Sequence, residues 1–402
     1  MVASFRSING FETGGLEESH ATQGAPSVQS TIKRSGGYAL ELAPAATQAW
    51  YDAYNIAFNQ SSGLSDTIIG FSLRLTDTTP GAQFSFYEAR GTAGGGKVLS
   101  WGLRLETDGD LVLLDEVGAA AATATAPFTA DTHHFIEIFY NTVSADSVTF
   151  KIYVDGTQVI NVSGVNADAD SLVFSRFQGA DSTAGNPTVY IDDFYTLSTI
   201  TDENDKLGNF VVLNYQTTDE DATDLGDALE NGTWALVSET PVNEGTSNDA
   251  GYTSTPKAGG TQTDSGARPG PSGDTRITGT PTIKAALWIH RLLRGTGAAS
   301  THQKRYGNSG DGMTDTTVTL TTSYQNFGTF SEAATVIPTA SEYFQHGFNV
   351  SGAQDITCAE IWAMLGFVPG SAFTAAMAAA FETQHVPALH LRGWKAIGYD
   401  NG

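Results

Sequence analysis

The sequence predicts an all-β protein: two jelly-roll or β-sandwich domains in tandem, then a short C-terminal segment containing a helix. Three observations carry this. Short runs of alternating or near-continuous apolar residues recur over residues 1–197, and no helical period competes with them. Asp-Gly pairs fall between such runs where a hairpin needs them. The composition suits sheets joined by tight turns, with 44 glycines and only 16% charged residues in a chain of 402.

Residues 1–197 hold the first domain. "GGYALEL" (36–42), "TIIGFSLRL" (67–75), "AQFSFYEAR" (82–90) and "KVLSWGLRL" (97–105) read as strands. "LRLETDGDLVLLDE" (103–116) turns at Asp108-Gly109, and "SVTFKIYVDGTQVINVSG" (147–164) turns at Asp155-Gly156. "HHFIEIFYN" (133–141) lies between them. The low-complexity "GAAAATATAP" (118–127) reads as a loop or an exposed strand edge, and "GTAGGGK" (91–97) as a flexible loop without P-loop spacing.

The polar run "STITDENDKLGN" marks a linker at 198–208. A second β-sandwich is expected over 209–368, with strands near "TIKAALWIHRLLR", "TTVTLTTSYQNFGTF" and "EYFQHGFNV" and one long Gly/Ser/Thr/Pro-rich loop at 244–274. "AEIWAML" reads equally as strand or helical turn. Residues 369–402 read as a docking segment, a short helix followed by a strand. Phe373, Met377 and Phe381 form its i, i+4, i+8 stripe. A helix this short must dock on its own domain or on a neighbour, so these three are the candidate assembly residues.

The net charge of −24 repels phosphate backbones and argues against nucleic-acid binding. One cysteine, Cys358, rules out an internal disulfide framework and reads as a small buried hydrophobe. No apolar run approaches membrane-spanning length, and "MVASFRSINGF" lacks the pattern of a signal peptide, so synthesis in a cytoplasm without membrane insertion is expected.

"NPTVYIDDFYTL" (186–197) poses a question. Alternation puts Val189, Ile191 and Asp193 on one face of the strand and Tyr190, Asp192 and Phe194 on the other. An aspartate that shares a buried face needs a partner.

"SGGYALEL", "LRLETDGDLVLL", "VTFKIYVDGTQV" and "VYIDDFYTL", in this order, resemble the concanavalin A-like (laminin G-type) jelly rolls, many of which occur in bacteriophage virion proteins. "VLNYQTTDEDATDL", "TPTIKAALWIHRLLRGTG" and "TVTLTTSYQNF" resemble a β-domain of phage structural proteins. The resemblance implies a non-enzymatic virion protein. It would be a tail or fibre component that assembles with copies of itself and other virion proteins and reads host cell-surface glycans through its first domain. The alternatives are a capsid decoration or head-fibre protein, a glycan-degrading enzyme on the same scaffold, and an oligomer with a purely structural role.

The resemblance also implies a structural calcium held by Glu12 of "NGFETGG" with Asp192 or Asp193, joined by carbonyls near Ser35–Gly37. The other reading has one aspartate in solvent and the second accepting backbone or Arg/Lys hydrogen bonds. For glycan stacking, Trp50 with Tyr51 and Tyr54 in "ATQAWYDAYNIAFN" is the best candidate, set against core packing. Catalytic patterns are sparse. "ETDGD" (Glu106, Asp108, Asp110) lies on a hairpin tip. His133 and His134 point to opposite faces, and no E-x-D-x-x-E or G-x-S-x-G stands in context.

Overall fold

A computed structural model describes most of residues 4–216, with breaks at 12–15, 17–18, 55–65, 94–95, 145–146, 168–171, 199 and 201–202, and beyond them the strands between 219 and 368. The described chain is almost entirely β, with one 3-10 turn at Glu203–Asp205. Residues 369–402, with Phe373, Met377 and Phe381, lie outside the described residues.

The first unit runs from β1 (Ser4–Asn9) through β2 (Ser19–Gln23), β3 (Ser27–Gln29), β4 (Ala39–Leu42), β5 (Trp50–Tyr54), β6 (Thr67–Leu75), β7 (Phe84–Ala93) and β8 (Gly96–Leu105). It continues with β9 (Leu111–Leu114), β10 (Ala120–Ala124), β11 (His134–Ser144), β12 (Ser147–Val154), β13 (Thr157–Val165), β14 (Leu172–Gln178) and β15 (Val189–Ser198). Two antiparallel sheets form a jelly-roll-like sandwich. One runs β13-β12-β11-β6-β15-β4-β3, with β1 also pairing β15; the other runs β10-β9-β8-β7-β14-β5-β2.

Both hairpin signals form. Asp155 (φ 49°) and Gly156 (φ 79°) take the paired left-handed conformations of a type I′ turn between β12 and β13. Gly109 (φ 91°) closes the β8–β9 turn by donating to the Glu106 carbonyl. The Ala-rich stretch supplies edge strand β10. "GTAGGGK", expected to be a loop, instead continues the β7–β8 ladder through Thr92↔Lys97 and Ala93↔Gly96.

Alternation fills the space between the sheets. Ile69, Phe71, Leu73 and Leu75 of β6 and Ile136, Ile138 and Tyr140 of β11 meet Tyr87, Trp101, Leu103 and Phe177 of the facing sheet. The opposite face of the eight-stranded sheet is apolar too. Ile68, Phe135, Phe139, Tyr195 and Leu197 pack there with Phe210, Val212, Ala285 and Met364 of the second unit.

The second unit comprises β16 (Val211–Gln216), β17 (Asp219–Glu220), β18 (Tyr252–Ser254), β19 (Thr261–Arg268), β20 (Thr282–Arg294), β21 (Thr301–Asn308), β22 (Gly312–Thr319), β23 (Gln325–Ser331), β24 (Phe344–Ser351) and β25 (Ile356–Val368). One sheet runs β16-β25-β20-β23, with β18 also on β25; the other runs β17-β19-β24-β21-β22. "AEIWAML" is strand, within β25. The stretch 244–274, expected as one long loop, contributes β18 and β19. Ladders to β25 and β24 recruit these Thr-rich segments despite their low apolar content.

Candidate functional site

The aspartates of β15 find partners through a bulge. Asp192 faces Ser72 and Tyr195 faces Gly70, so Asp193 and Phe194 together oppose one residue of β6. Asp193 takes the left-handed conformation (φ 51°). This extra residue reverses the alternation. Val189 and Ile191 enter the core before the bulge, Phe194 enters it after, and Asp193 leaves the core face. Asp193 accepts from Arg34 Nη1 at 2.5 Å, Ser35 Oγ at 2.6 Å and the Val212 amide at 2.8 Å. Asp192 accepts from the amides of Arg34 (2.8 Å), Ser35 (3.1 Å) and Asp193 (2.8 Å). Burial raises the Asp193 carboxyl above its ordinary value, against the pull of Arg34, Ser35 and Val212.

This arrangement does not fit the calcium expected here. Calcium takes six to eight oxygen ligands, whereas these carboxylates are turned toward N–H and O–H donors and a guanidinium. From the 34–35 segment they receive amide hydrogens, not carbonyls. Glu12, the third expected ligand, lies outside the described residues. Among the described residues no group of three His, Cys, Asp or Glu could hold a metal ion.

Arg34 extends further. Nη1 also donates to the Phe210 carbonyl (2.7 Å), and the guanidinium lies 4.7 Å from the Phe135 ring centroid. Beside it, Glu137 Oε1 accepts from Tyr195 Oη (2.5 Å) and from the amides of Leu207 (2.8 Å) and Gly208 (2.9 Å). The segment expected as a linker is therefore tied to the first unit. Burial raises the Glu137 carboxyl, opposed by these donors and by Lys206. His133, whose Nδ1 meets Ser72 Oγ at 3.1 Å, is depressed to about 3 by burial and by Arg34, Arg74 and His134. His134 Nδ1 meets Asp155 Oδ2 at 2.6 Å, and its Nε2 accepts from the Thr129 amide.

The seven-stranded sheet has a different outer face. Tyr51 and Ala53 of β5, Tyr87 and Ala89 of β7, Trp101 and Leu103 of β8 and Phe177 of β14 point into the core. Between them Asp52, Glu88 and Gly102 are in the opposite phase, two of them charged. Asp52, Arg176 and Glu88 stand side by side across β5, β14 and β7. Asp52 is 0% exposed and Arg176 7%; the guanidinium grips the carboxylate through Nε–Oδ1 (2.6 Å) and Nη2–Oδ2 (2.9 Å). Glu88 accepts from Arg90 Nε at 2.6 Å, and Arg104 pairs with Glu106 at 2.6 Å. Gly102 stands opposite Glu88, with the Glu88 and Leu99 side chains lying against it.

Trp50 stands at the edge of this row. It is half-buried, with the Arg176 guanidinium 3.8 Å over its ring and its indole N–H on Gln23. Of the expected stacking residues whose side chains are described, it is the one placed on this face. Tyr51 is corrected: it is fully buried, packs edge-on against Phe11 and its hydroxyl accepts from Asn9 Nδ2 at 3.1 Å. Neighbours on a strand cannot share a face, so Trp50 outside requires Tyr51 inside. Tyr54 pairs through its backbone with Phe174, and its side chain lies outside those described. Glu106, Asp108 and Asp110 serve the hairpin: Asp108 accepts from the Asp110 amide and Asp110 from the Ala126 amide.

Asp52, Glu88 and Arg176 were missed from sequence. A usable signal was present: each is a charged residue in the outward phase of an otherwise core-forming strand. Their convergence depends on which strands pair.

No protein-family model and no curated protein matches this chain. It is similar to solved structures. An endo-β-1,4-glucuronan lyase from the fungus Trichoderma reesei is 16% identical, with a TM-score of 0.37, over 49% of this chain and 96% of that one. A cellulose-induced protein, Cip1, is 18% identical, with a TM-score of 0.35, over 48% and 97%. A carbohydrate esterase from the Shiga toxin-encoding bacteriophage phi24B is 14% identical, with a TM-score of 0.37, over 49% and 100%. At such identities the likeness is one of fold. It nevertheless corrects the expectation of a non-enzymatic protein. Two of these three structures carry the names of carbohydrate-active enzymes.

Proposed function

We propose that the first unit binds glycan on the outer face of its seven-stranded sheet. The observation that carries this reading is the row Asp52–Arg176–Glu88 with Trp50 at its edge. Buried ion pairs away from a core are costly unless well paired. Here they fix hydrogen-bonding groups beside an aromatic ring, the combination that suits sugar hydroxyls and C–H faces. Glycan-array or affinity-electrophoresis binding tests it. Trp50→Ala should weaken retention at least tenfold, and equal retention by wild type and variant would end the proposal.

A second reading, glycan cleavage, draws on the two carboxylates of the same row. Asp52 and Glu88 sit two strands apart on one face, roughly 10 Å at the backbone. Paired carboxylates cleave glycosidic bonds at separations of about 5–9.5 Å between carboxyl groups. Glu88 is the more accessible of the two and would be the acid or base. Reducing ends released by wild type and not by Glu88→Gln would support this reading. No release from any glycan that binds would remove it.

The motifs of the second unit support a place in a phage particle, as a tail, fibre or decoration component assembled with copies of itself. Antibody labelling of purified virions tests that setting, and unlabelled particles would exclude it.

A further inference from the structure

The charge balance of the outer face bears on which glycan it takes. We infer that the site takes an uncharged glycan, recognised through hydroxyl groups, in preference to a uronate- or sialate-bearing one. This rests on the glycan-site reading above. Among the described side chains of this face the arginines are Arg90, Arg104 and Arg176, and each contacts a carboxylate at 2.6 Å: Glu88, Glu106 and Asp52. Three positive and three negative charges cancel. The whole chain carries −24.

A carboxylated sugar approaching this face enters the field of an acidic protein and meets guanidinium groups that are already neutralised. To gain an ion pair it would have to share a guanidinium with Glu88, Glu106 or Asp52, setting its own negative charge against the carboxylate already there. A polycationic glycan would be drawn to the net charge wherever it is dense, with no preference for this face. A neutral sugar displaces nothing. The partly exposed pairs, Arg90–Glu88 and Arg104–Glu106, hold polar groups at fixed spacing, and hydroxyl groups can meet both members of a pair. Trp50 adds a ring that is only half-buried.

The test uses the full chain and three soluble probes, a galactomannan, polygalacturonate and chitosan oligosaccharide, each titrated at 20 and 500 mM NaCl. The expected result is binding to galactomannan that changes less than twofold with salt and falls at least tenfold in Trp50→Ala. Polygalacturonate should not bind wild type. It should bind Glu88→Gln, in which the face loses one negative charge, and that binding should be lost at high salt. Wild-type binding to polygalacturonate that is weakened tenfold by salt and abolished in Trp50→Ala would overturn the uncharged-glycan inference and keep the site. Chitosan, the control for non-specific attraction, should bind wild type and Trp50→Ala alike at 20 mM NaCl and neither at 500 mM. Galactomannan binding that Trp50→Ala leaves unchanged, or no galactomannan binding at all, would overturn the site and the inference with it.

Discussion

The Arg34 guanidinium lies 2.5 Å from the Asp193 carboxylate, with 4% and 0% of the two side chains exposed. The same guanidinium holds the Phe210 carbonyl, and the same carboxylate holds the Val212 amide. One ion pair thus ties β15 of the first unit to the strand that opens the second. Around it Phe5, Phe135, Tyr195 and Phe210 form an aromatic cluster, with Tyr195 and Phe210 centroids 4.9 Å apart.

Removing one partner of this pair strands a buried charge. Arg34→Leu should cost about 3–5 kcal/mol, and Asp193→Asn should also destabilise. In a double-mutant cycle the combined variant should lose much less than the sum of the two, because neither charge is then left alone. Strictly additive losses in urea unfolding would show that the pair is not coupled.

Glu137 makes stability depend on pH with a defined sign. Its folded carboxyl is raised by burial, so the folded state holds a proton that the unfolded state has released. This contribution is complete below the ordinary glutamate value, about 4.3. It is lost as pH rises through the folded value. Glu137→Gln, which cannot titrate, should flatten the decline in unfolding free energy above about pH 4.3. An unchanged slope would exclude Glu137 as its source.

His133 acts at the other end of the scale. Its folded value, about 3, lies below the ordinary histidine value, about 6.5. Its contribution is therefore present above about 6.5 and is lost as pH falls from there toward about 3. His133→Gln should lessen acid destabilisation in that window, read from melting temperatures at pH 4 and pH 7.

Gly366 leaves the space that the Phe210 ring occupies, and a Cβ there would overlap ring carbons. Gly366→Ala should destabilise by about 1–3 kcal/mol. Pairing it with Phe210→Leu should recover part of the loss. Calorimetric melting of the single and double variants checks both, and a silent Gly366→Ala would mean that the ring is not held there.

The sequence by itself determined the all-β class, most of the strands of residues 1–198 and the hairpin at Asp155-Gly156. These depend on period-two alternation and on residues that tolerate a left-handed backbone, and both are local. The long polar stretch at 244–274 concealed strands because ladder hydrogen bonds can recruit a segment whose own side chains do not call for a sheet. Alternation also required that Trp50 and Tyr51 face apart, but it could not say which of them faced the core. Only the tertiary structure decided that, and only it placed a bulge at Asp193, reversing the phase of β15 so that the carboxylate met Arg34. The row Asp52–Arg176–Glu88 is tertiary for the same reason. Its residues are far apart in the chain, and the order in which strands pair is set by global packing.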